Sequence, residues 1–187
     1  MVRRGSSPIA VTFLAGALLL GCGGDDDDGD AGPPTTATPV PATLPDDVEA
    51  GSGRMVLDGE AYALEVRSCA LDPVSDPATG VTTELTVDAD DGLGVAVAVT
   101  RSSVEGDLRT VTDTITVVDP GGGLTEAQRI DRSGTYLDLR VEGALEPLLE
   151  VDGALIRGEG VFGPTGSAVG DPGLVEGGVI LRCPPAG

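Results

Sequence analysis

The chain contains no histidine, lysine, tryptophan or asparagine, and it has only two tyrosines and two phenylalanines. Without histidine or lysine, a serine nucleophile lacks its usual bases, and Schiff-base chemistry lacks its amine. A metal site would have to be built from oxygen ligands, because two lone cysteines without histidine are not a zinc ligand set. Few aromatics also argue against a sugar-stacking platform, so Tyr62, Tyr136 and Phe162 are read as core or core-edge residues. Positive charge is scarce: 11 arginines stand against 31 acidic residues, a formal net charge of −20. That balance repels nucleic acid and anionic membrane surfaces alike.

Long apolar runs are missing as well. Ile9 to Leu20 is apolar but falls short of the about 20 residues a membrane-crossing helix needs, and Asp25 to Asp28 follow closely. With Arg3 and Arg4 in front and Gly21 behind, this run reads as the three-part signal segment of an exported protein. Leu19-Leu20-Gly21-Cys22 resembles the lipobox of bacterial lipoproteins. The resemblance implies acylation of the Cys22 thiol, removal of residues 1–21 and a cell-membrane location on the extracytoplasmic face, with the membrane contacted through the N-terminal lipid.

The cysteine count agrees. Cys22, Cys69 and Cys183 are an odd number, but lipid on Cys22 leaves an even pair. Export permits a Cys69–Cys183 disulfide to persist, with two buried thiols as the rival reading. Residues 22–52 then form the lipidated N-terminus and a linker. Every charge in it is negative, prolines recur at 33, 34, 39, 41 and 45, and aromatics are absent. Such a composition buries too little apolar surface to offset chain entropy, so the linker is expected to be disordered. Its expected task is to space the domain from the bilayer.

Residues 53–187 are expected to form a single β-rich extracytoplasmic domain. Period-two apolar alternation and turn dipeptides such as Asp58-Gly59, Ser133-Gly134 and Asp152-Gly153 predict an all-β fold. The expected architecture is an antiparallel β-sandwich or partly open barrel of about eight to ten short strands. Leu137, Leu139 and Val141 are assigned to the interior, with Asp138, Arg140 and Glu142 outside. The other expected interior residues are Tyr62, Leu64, Val66, Leu85, Val87, Val95, Val97, Val99, Ile115, Val117, Ile156, Phe162, Val179 and Leu181. Three places break the pattern. Gly94 to Val99 is small or apolar on both faces, which predicts a central position. Asp113 shares parity with Val111, Ile115 and Val117, which requires either a bulge or a buried, hydrogen-bonded carboxylate. Cys69 shares parity with Glu65 and Arg67, so a bulge or strand end near Ser68 is needed for it to meet Cys183.

Leu57-Asp58-Gly59, the strand ending at Cys69, Ile156-Arg157-Gly158-Glu159-Gly160 and the terminal Val179-Ile180-Leu181-Arg182-Cys183 resemble the actinobacterial 19-kDa lipoprotein antigen family. The chain departs from that family in its acidity and longer middle. The resemblance implies a surface-displayed, non-enzymatic lipoprotein contacting envelope or host proteins.

No catalytic residue, metal ligand or cofactor is assigned. Glu142/Glu146 and Asp88/Asp90/Asp91 are the acidic groups that an acid–base or cation site would use, and each is read as solvated turn charge. Asp88-Ala89-Asp90-Asp91-Gly92 lacks the spacing and the distal bidentate glutamate of a calcium loop. A small-ligand or calcium-binding module is the alternative to display.

Overall fold

The computed structural model describes Leu44 and residues 47–185; the expectations for the signal segment, Cys22 and most of the linker fall outside these residues. Eleven antiparallel strands and no helix are described. They are β1 (Ser52–Leu57), β2 (Glu60–Ala70), β3 (Val74–Asp76), β4 (Val81–Asp90), β5 (Ala96–Val104) and β6 (Thr110–Val118). There follow β7 (Leu124–Arg132), β8 (Thr135–Leu137), β9 (Leu149–Asp152), β10 (Leu155–Phe162) and β11 (Val175–Arg182).

One sheet takes the order β8-β7-β6-β5-β4-β2-β1-β11-β10-β9, with β3 added beside β4. Local sequence sets the hairpins. Asp58 and Gly59 both adopt positive φ, 51° and 78°, the backbone that a two-residue turn of matching twist demands. The sheet curls into a half-barrel until β7 reaches the end of β10. There Glu126 and Gly163 exchange backbone N–H···O bonds of 2.8 and 3.1 Å.

The concave side holds the core, from Met55 on β1 through Val87, Val97, Val99 and Ile115 to Phe162 and Val179. Leu148, the last residue of the connection between β8 and β9, and Leu149, the first of β9, enter this core. β10 runs close beneath them because it carries glycine. A Cβ at Gly158 would stand 2.6 Å from Ile115 Cδ1 and 2.7 Å from Leu149 Cδ2.

Three sequence expectations change here. The strand expected from Thr135 to Glu142 stops at Leu137. Leu137 and Leu139 are exposed, Leu139 by 73%, and Val141 is only half-buried. Arg140 is buried instead, and the Asp138 side chain is fully covered. Alternation is meaningful only inside a ladder, and the chain leaves the ladder at Asp138. Tyr62 is half-buried and packs against the core edge rather than within it. The segment from Gly94 to Val99 does not pack on both faces: β5 begins at Ala96, which is exposed, while Val97 and Val99 point inward.

Candidate functional site

Cys69 and Cys183 are joined by a disulfide with Cα atoms 5.8 Å apart, 114 residues apart in sequence. The parity problem is solved by a bulge. The β2–β4 register shifts between Val66 and Ser68, so Cys69 pairs opposite Val87 and turns toward the core, where Cys183 is already buried.

Asp113 takes the second of its two expected forms. No register shift interrupts β6 on either side. Its carboxylate is buried on the concave face and accepts two hydrogen bonds from Arg101, Nε at 2.7 Å and Nη2 at 2.8 Å. Arg101 on β5, Asp113 on β6 and Arg129 on β7 are register partners and form one row across the sheet. The bond to Asp113 raises the Arg101 pKa above its ordinary value against the opposing cost of burial.

This row holds the connection that crosses from β8 to β9. Arg101 also donates to the Leu149 carbonyl at 2.9 Å, and Arg129 donates to the Glu146 carbonyl. Asp138 Oδ2 stands 3.7 Å from Arg129 Nη2, and Asp138 Oδ1 accepts the Arg140 backbone N–H at 2.9 Å. Arg140 in turn donates to Ser167 Oγ at 3.1 Å and to Glu126 Oε1 at 2.9 Å. Arg101, Arg129 and Arg140 are thus balanced by Asp113, Asp138 and Glu126. The cluster is electrically neutral, and its polar atoms are spent on one another and on carbonyls, save Arg129 Nε and Asp138 Oδ2, which are buried without a hydrogen bond. Its chemistry is that of a clamp: it fastens a non-ladder segment over the open side of the curled sheet. Reading the sequence alone missed Arg101, Arg129 and Arg140. The one available signal was Asp113, an acid on an apolar parity that called for either a bulge or a buried, hydrogen-bonded carboxylate.

The acidic turns are engaged in a similar way. Asp91 Oδ1 accepts the backbone N–H groups of Leu93, Gly94 and Val95 at 2.8 to 3.0 Å. These bonds hold its pKa below the usual carboxylate range. Asp90 is likewise lowered, first by its two bonds to Arg67. Asp88 accepts the Ser68 hydroxyl at 2.6 Å. Thus all three acids of the calcium-like segment bind donors of the protein itself. Among the described residues, no group of three or more acids is arranged to hold a metal ion. Glu142 and Glu146 are both exposed. Tyr62 donates to Glu60 at 2.7 Å, and that bond, with burial and the nearby charges of Asp91 and Asp119, raises its pKa.

A groove of about 190 Å³ lies on the convex face, where Ala96 and Ala98 sit low between Asp88, Asp90 and Thr116. It falls below the about 300 Å³ at which ligand pockets begin, and its one cation, Arg67, is already paired with Asp90. The chain matches no protein-family model, no curated protein and no solved structure.

Proposed function

We propose that this chain is a lipid-anchored lipoprotein of the cell envelope, held at the extracytoplasmic face by acylated Cys22 and acting by display or protein contact without catalysis. The observation that carries this reading is the pairing of Leu19-Leu20-Gly21-Cys22 with the disposition of the other two cysteines. Those two are bonded to each other, which leaves Cys22 as the single thiol available for lipid. A structural disulfide suits an oxidising compartment outside the cytoplasm. The interior clamp also supports a scaffold role, because its arginines hold the crossing to β9 in place through backbone carbonyls. The resemblance to the 19-kDa lipoprotein antigen family points to the same reading.

Metabolic labelling with radioactive palmitate tests it. The wild-type chain should incorporate label, and Cys22→Ala should abolish incorporation and leave the precursor at full length. Label retained in Cys22→Ala would refute the anchor.

A further inference from the structure

Ile180 is 1% exposed, yet it lies outside the concave core. Its neighbours Val179 and Leu181 fill that core, so alternation places Ile180 on the convex face of β11. Arg54 on β1 and Arg157 on β10 are its register partners, and Arg182 follows two residues along the same face. Side chains directly opposite on adjacent strands start about 5 Å apart, so Arg54 and Arg157 flank Ile180 across the sheet and Arg182 follows it along β11. Acids share this face: Glu150 lies across from Arg157, Glu159 follows it on β10, and Glu65 lies one pair from Arg54 on β2.

Described residues before β1 touch both ends of this strip. Leu44 Cδ1 stands 3.1 Å from the position a Cβ would take at Gly178, so the missing side chain is the notch that seats it. Seven residues later, Gly51 N–H bonds the Arg182 carbonyl at 2.8 Å. Of the described residues before β1, Leu44 thus stands at Gly178 and Gly51 at Arg182, on either side of Ile180 along β11. Seven extended residues reach about 23 Å, more than the about 13 Å this part of β11 spans. Its charged residues are Asp46, Asp47 and Glu49, all negative.

We infer that the convex strip of Arg54, Arg157, Arg182 and Ile180 is a docking surface for the chain's own acidic segment 44–50. Leu44 plugs the Gly178 notch, and carboxylates approach the arginines. Docking moves the point where the tether leaves the domain from the start of β1 to the barrel wall, and takes seven residues out of its free length. The docking itself is independent of the anchor reading, since it requires no lipid.

Hydrogen exchange on the full chain tests it. The amides of 47–50 should exchange about tenfold or more slower than in an unstructured chain. They should lose that protection in Leu44→Asp and in the double variant Arg54→Glu/Arg157→Glu, while β5 and β6 exchange as before. Salt near 1 M should weaken the protection, because exposed charges are screened within about 3 Å there. Free-chain exchange at 47–50 in the wild type, or full protection in Leu44→Asp, overturns the inference. So does binding of phosphatidylglycerol vesicles through these arginines with 47–50 unprotected, which would make a membrane the occupant. Leu44→Asp leaves the barrel untouched and decides the matter if the double variant does not fold.

Discussion

Asp113 shows how much rests on one side chain. Its carboxylate is buried against Arg101, which is itself committed to the Leu149 carbonyl. Removing one partner of such a pair strands the other charge away from water. Asp113→Ala should therefore destabilise the fold by about 3 kcal/mol, read as a lowered urea midpoint with little change in slope. Replacing Arg101 and Asp113 together by methionine and leucine should cost less than Asp113→Ala, because no uncompensated charge remains. Gly158 makes the complementary case. Gly158→Ala would press a methyl against Ile115 and Leu149, and overpacking of this kind costs about 1–3 kcal/mol.

Among the elements, β2 carries the most consequential irregularity. Its bulge at Arg67 re-phases the strand so that Val66 and Cys69 both face the core. Arg67 is the extra residue, so deleting it should leave Ser68 opposite Asp88 and Cys69 opposite Val87 in a regular ladder, and the disulfide should survive. Inserting one residue between Ser68 and Cys69 should instead turn Cys69 to the convex face. Thiol titration of the unfolded, unreduced protein should then find Cys69 and Cys183 reactive in the insertion variant and neither in the deletion variant. An insertion variant that keeps the disulfide would mean that the strand end, and not the bulge, sets the geometry. The crossing between β8 and β9 is the second irregular element. It has little ladder to hold it; Arg129 bonds the Glu146 carbonyl within it, and Arg101 bonds the Leu149 carbonyl where β9 begins.

For the molecule as a whole, the disulfide closes nearly the entire domain. A loop of 114 residues corresponds to about 4–5 kcal/mol of lost denatured-state entropy, so reduction should lower stability by up to that amount. Acid should act through the turns. Asp76, Asp90 and Asp91 are held low by hydrogen bonds to the folded chain, first from Ala78, Arg67 and Leu93 respectively. Burial pushes Glu84 up, but bonds from Ser103 and Arg109 outweigh it and leave it lowered. A depressed folded-state pKa contributes stability above the unfolded value and loses it as pH falls toward the folded one. Thermal melts should thus hold steady from neutral pH to about 5 and decline below about 4, where unfolded carboxylates take up protons. Tyr62 acts at the other extreme. Its raised pKa favours the fold below about 10 and withdraws that stability above it.

The fold class and most strand positions were legible in the sequence, which offered the Cys69–Cys183 bond beside a rival reading of two buried thiols. Alternation and paired turn dipeptides are local signals, and a strand in a regular ladder obeys them wherever it lies. Even the two parity conflicts, at Asp113 and Cys69, were legible as places that required a buried partner or a bulge. The tertiary structure alone decided which side of the chain faces inward after Leu137, because leaving the ladder at Asp138 cancels the period-two rule. It also decided that Arg101, Arg129 and Arg140 enter the interior. A buried arginine is tolerable only where acids and carbonyls converge on it, and those partners come from β6, β7 and the crossing to β9. The arginine strip around Ile180 belongs to the same class: residues 54, 157, 180 and 182 are distant in sequence, and only the β10–β11–β1 register sets them side by side.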